Sequence, residues 1–155
     1  MANKEFNNLE EIKKYYNKYN NTYIFKENGE YIQVVTLNFD LDVKANINAL
    51  NINGQHICAN NIDAWNINAY NINANRIYVN NINAWNINAG GDIKAHNINA
   101  KDIKSGNIKA GNINADNIDY LSTCTATNSI RCKSIAGRKK NAKHIVLDGA
   151  LEVTE

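Results

Sequence analysis

The chain has 155 residues, and its 17 basic and 15 acidic side chains leave a formal charge of +2. That length suits about one domain, and the near balance of charge counts against a wholesale nucleic-acid binder and an acidic imitation of duplex DNA. No apolar run approaches the roughly 18 residues of a membrane span, and the opening MANKEFNNLEE holds no apolar signal core, so a soluble cytoplasmic protein without membrane association is expected.

Cys58, Cys124 and Cys132 are odd in number and show no C-x-x-C spacing. They read as reduced thiols rather than as a disulfide framework. Proline is absent, and the excess of Asn and Ile falls in one segment.

Residues 1–42 predict an N-terminal cap. Asn8 with Glu11 three positions later resembles a capping box, and Leu9, Ile12, Tyr16 and Tyr19 share one face of a helix over residues 8–19. TYIFKE, the turn pair Asn28-Gly29 and EYIQVVTL then predict a β-hairpin.

Residues 43–121 carry a repeat. Pentads of the form x-Asn-Ile-Asn-Ala place Ile at 47, 52, 57, 62, 67, 72, 77, 82 and 87. One extra residue at Gly90-Gly91 shifts the frame, and Ile resumes at 93, 98, 103, 108, 113 and 118. A period of five fits neither a helix nor a flat strand. It fits short extended runs separated by corners. Ile and the Ala two residues later face one side and fill a narrow interior. The Asn residues coat the outside and round the corners, where stacked amides form ladders.

This pattern resembles the pentapeptide-repeat proteins, a family of right-handed, four-sided parallel β-helices. The resemblance covers about half of the chain, although Ala follows Ile here where the family places the small residue first. It implies four pentads, 20 residues, per coil. In that register the x positions sort into columns such as Ala45, Trp65, Trp85 and Gly106, with aromatic residues on two adjacent faces. The Asn-Ile-Asn-Ala string is also similar to proteins of Firmicutes bacteria and their phages, which implies a bacterial host.

Residues 122–155 predict an irregular rung through Ile130, Cys132 and Ile135, a basic loop, and a C-terminal β-hairpin of IVL and ALEV about Asp148-Gly149. The free edge of that hairpin offers a route to a homodimer.

No Ser/His/Asp motif, phosphate loop or HExxH occurs, so no catalytic residue, cofactor or metal is expected. His56 and Cys58 alone are too few for zinc, and His96 reads as solvated. Three groups carry the functional reading. Under four-sided stacking, His56 and Arg76 share a column, and Cys58, Tyr78 and Asp119 share the next, a decorated face suited to a protein partner. Trp65, Tyr70 and Trp85 form an exposed aromatic patch for the same use. Arg131, Lys133, Arg138, Lys139, Lys140 and Lys143 form a basic cluster, a candidate site for nucleic acid or phosphate.

The function expected is therefore a non-enzymatic interaction protein, a rigid rod with a decorated face. The phage resemblance implies an inhibitor of a host defence component such as a CRISPR effector. A nucleic-acid-related protein is the alternative, either a DNA mimic acting on topoisomerases, as some family members do, or a phosphate binder through the basic cluster. A self-associating structural spacer is the third reading.

Overall fold

A computed structural model describes residues 3–154. Short elements form the N-terminal end: β1 (Asn3–Phe6), α1 (Leu9–Ile12) with one 3-10 turn at Lys13–Tyr15, β2 (Tyr16–Asn17), β3 (Thr22–Ile24), β4 (Lys26–Glu27), β5 (Glu30–Tyr31), β6 (Val34–Leu37) and β7 (Leu41–Asp42). Two long stretches of extended backbone follow, β8 (Asn46–Ala89) and β10 (Asn97–Cys132), joined by β9 (Asp92–Lys94). β11 (Ser134–Gly137), β12 (Lys143–Val146) and β13 (Ala150–Val153) complete the chain. Apart from the ribbons β2–β3 and β4–β5, every pairing between these elements is parallel. The molecule is an all-β parallel solenoid.

The coil is shorter than expected. Asn61 donates to Asn46, Asn66 to Asn51 and Asn112 to Asn97, each across 15 residues. A coil of the repeat region therefore holds three pentads and has three sides, and the 20-residue, four-sided register is corrected. The interior explains the choice. Each side contributes one Ile and one small residue per layer, and the Ile rows are 0–2% exposed from Ile47 to Ile118. Ile is compact and β-branched, and three such side chains close a narrow lumen at the density of a protein interior. A fourth side would widen the lumen without lengthening the side chains that fill it.

The extra residue at Gly90-Gly91 is absorbed at a corner. Ile77 pairs with Ile93 and Ile82 with Ile98, so the insertion stretches one coil and leaves the Ile rows in line. Near the C-terminus, Ile118 pairs with Ile135, and the coil lengthens where the buried Tyr120 replaces a small interior residue.

Both ends depart from expectation. The cap Asn8 accepts from the Glu11 amide at 3.1 Å, but the helix stops at Ile12 and leaves Tyr19 90% exposed. Asn residues end it: Asn17 accepts from the Tyr19 amide, and Asn21 takes a positive φ of 51°, local bonding that competes with helix. Of the predicted hairpin, only β4–β5 is antiparallel, turning through Asn28 and Gly29 at φ 50° and 83° as a primed turn requires. The flanking β3 and β6 are rungs paired in parallel with β8. The C-terminal hairpin does not form. β12 and β13 each pair in parallel with β10 and, with β11, make a last complete coil.

Among the described residues no helix is long and apolar enough to cross a membrane.

Candidate functional site

Three sides and a 15-residue repeat redraw the surface. The position before each Ile forms half-buried amide ladders near the corners. One runs unbroken from Asn51 through Asn66, Asn81, Asn97 and Asn112 to Ser129, with spacings of 2.5–3.1 Å. His56 stands at the foot of a second, where Asn71 donates to its Nδ1 at 2.6 Å. Arg76 interrupts the third: it lies above Asn61 in the column that begins at Asn46, and Asn61 Oδ1 is buried without a partner among the described residues.

His56 and Arg76 therefore lie on different sides, and so do Cys58 and Tyr78. The face expected to unite them does not exist, because the shared column depended on a 20-residue coil. Cys58 instead continues the row of Asp42, and burial, followed by Asp42, pushes its thiol pKa up. Among the described residues no group of three or more His, Cys, Asp and Glu side chains could hold a metal.

Trp65 and Trp85 also part company. Trp85 stacks on Tyr70 with ring centroids 5.6 Å apart and an interplanar angle of 10°. His56 meets Tyr70 edge-on at 6.1 Å, and Lys101 Nζ lies 4.8 Å from the Trp85 ring centre. This stack satisfies itself. The Tyr70 and Trp85 faces lie against each other, and Lys101 covers part of Trp85, so the column presents mainly ring edges to solvent.

Trp65 is different. It is 59% exposed and stands at another corner, below Asn80 and His96, whose backbones are linked at 2.8 Å. With Asp63, Tyr78 and Lys94 it walls a shallow groove floored by Val79 and Ala95. These two floor residues belong to the interior row, yet they are only partly buried. The groove continues past His96 to Lys109, Gly111 and Asn128. On this side the outward Asn of the repeat gives way to Asp63, Tyr78, Lys94 and Lys109 in succession. On the neighbouring side Asn68, Asn83, Asn99 and Asn114 remain in place, linked by weak outer bonds of 3.1–3.4 Å.

Sequence reasoning missed Asp63, Lys94 and Lys109 and set His96 aside. The signal was present: Tyr70 and Trp85 are 15 residues apart, and the same step aligns Asp63 with Tyr78.

Half of the basic cluster is neutralised within the chain. Arg131 lies 3.9 Å from Glu152, Lys133 3.5 Å from Asp116 and Arg138 3.0 Å from Asp119. Arg138 also donates to the Ser105 carbonyl at 2.7 Å. Lys139, Lys140 and Lys143 are exposed and make no such pair among the described residues.

Comparison with models of protein families, with curated proteins and with solved structures returned no match to the chain.

Proposed function

We propose that the chain is a non-enzymatic binding protein whose Trp65–Tyr78–His96 groove docks a protein partner. The observation that carries this reading is the combination of an unstacked, exposed Trp65 with an open apolar floor on the side where the Asn coat is replaced. Aromatic anchors beside a desolvated floor supply most of the energy at protein interfaces. A rigid ladder holds them in place, so little ordering cost opposes binding. Lys94, Lys109 and His96 along the groove favour a partner segment that carries carboxylates.

On the resemblance to phage-borne repeats, the partner class is a protein of a bacterial defence system, and the chain acts by occupying it. Plaque formation by a sensitive phage on a defended strain tests this. The wild-type chain should restore plaques, and the Trp65→Ala/Tyr78→Ala/His96→Ala variant should not. Failure of the wild type would remove the defence role, and rescue by the variant would remove the groove. Capture of the partner should likewise be lost in that variant and kept in Tyr70→Ala/Trp85→Ala.

A further inference from the structure

The two ends of the rod are finished differently. At the N-terminal end Phe6, Tyr15 and Phe25 form a ring cluster with centroids 5.3–6.0 Å apart, with Ile12 fully buried nearby. The C-terminal coil, β11 to β13, has no counterpart to this cluster. Val153 continues the row of Cys132, which is 1% exposed, yet Val153 itself is 59% exposed. Ile135, Val146 and Leu151 are likewise only partly buried. Outside the lumen, Ile145 and Leu147 are 42% and 62% exposed. Among the described residues the outer edges of all three strands are unpaired, a template for further strands.

We propose that this end docks head-to-head on a second copy of the chain, about a two-fold axis perpendicular to the rod. A coil climbs as it turns, so the exposed end is a ramp with one step, between Val153 and Ser134. Rotation by a half-turn about an axis through that step and the centre of β12 converts the ramp into one of matching slope. The two ends then meet at constant separation around the coil. β12 runs antiparallel to β12 of the second copy, and β11 lies against β13 of the second copy.

Side chains and charges agree with this operator. Residues opposite one another in an antiparallel pair face the same side. His144 inside the lumen can therefore oppose Val146, while outside it Ile145 opposes Ile145 and Lys143 opposes Leu147. That accounts for the two exposed apolar residues. The same rotation lays the corner of Lys139 and Lys140, which pair with no carboxylate among the described residues, over the corner of Asp148. An isologous contact repeats each such match twice.

Sedimentation equilibrium of the full chain tests the proposal. A mass of twice 17.4 kDa is expected at micromolar concentration. Ile145→Lys sets two ammonium groups opposite each other and should give a folded monomer. Lys139→Asp/Lys140→Asp and Asp148→Lys should each weaken the dimer at least about tenfold, and their combination should restore it. The groove variant should remain dimeric, which separates this contact from partner docking. Four results would overturn the proposal: a monomer at every concentration, assemblies larger than a dimer, a dimer indifferent to Ile145→Lys, or no recovery in the combined variant.

Discussion

The amide ladder gives the sharpest test of a three-sided coil. Asn81 donates to Asn66 at 2.7 Å and accepts from Asn97 at 2.7 Å. Asn81→Ala removes both bonds and strands one acceptor and one donor. Each net hydrogen bond is worth about 1 kcal/mol, and a stranded buried group costs about 1–3 kcal/mol. The ladder is only half-buried, so water relieves part of that, and a loss of about 2 kcal/mol is expected. For a chain of this size that lowers the melting temperature by about 4–8 °C. Asn83→Ala, on the exposed row with bonds of 3.3–3.4 Å, should stay within about 0.5 kcal/mol. A double-mutant cycle then sets the period. Asn66 and Asn81, 15 residues apart, should couple by at least about 0.5 kcal/mol. Asn61 and Asn81, which a 20-residue coil would stack, should be additive to within about 0.3–0.5 kcal/mol. Coupling in the second pair and none in the first would refute the 15-residue stacking.

Four further outcomes are expected. Gly106→Ala would set a Cβ 2.6 Å from the Gly91 carbonyl oxygen, whereas at Gly90 a Cβ meets only Asn75 Oδ1 at 3.5 Å; urea unfolding should show a loss of about 1–3 kcal/mol for the first and little change for the second. The Glu27 carboxylate accepts from Lys4 and Tyr15 at 2.6 and 2.7 Å and is held down at about pKa 2 from 4.5. Its contribution is complete above pH 4.5 and lost as pH falls toward 2, so Glu27→Gln should flatten the acid limb of a melting-temperature titration. Burial pushes the Cys124 thiol up to about 12 and raises that of Cys132, so in the native protein a thiol reagent should reach only the partly exposed Cys58, and all three after unfolding. Duplex DNA at about 50 mM salt should not be retarded, since half of the basic cluster is ion-paired; a shift abolished by Lys139→Ala/Lys140→Ala/Lys143→Ala would restore the nucleic-acid reading.

The solenoid was legible because its cause is local. Every pentad carries the same Ile and Ala, so the inward rows follow from two-residue alternation alone. The number of sides was not legible from that rule. It depends on how many side chains close the lumen, which a pentad does not encode, and the family likeness supplied four where packing takes three. The site followed the error. His56 and Arg76 were joined by a column that does not exist, and Trp65 was grouped with Trp85, although Tyr70 is the neighbour of Trp85. The ends failed for another reason. IVL-Asp-Gly-ALEV has the local chemistry of a hairpin, but the open edge of β10 offered each segment a longer parallel partner. At the N-terminus the Asn28-Gly29 turn survived, because its positive φ values are set by the two residues themselves.

The unbroken ladder has one more consequence. Each side chain in it gives a hydrogen to the residue one layer nearer the N-terminus, from the Ser129 hydroxyl through the carboxamides down to Asn51, whose own amide ends on the Gln33 carbonyl. The group dipoles therefore add along the axis and polarise one another. The rod acquires an electrical direction unrelated to its formal charges, with electron-rich oxygens aimed toward the lysine-bearing tip and hydrogens toward the aromatic one. A single rod is polar in this way even at zero net charge, and a two-fold axis perpendicular to it sets two such polarities head to head, so the axial dipole that a monomer shows in an applied field should vanish in the dimer.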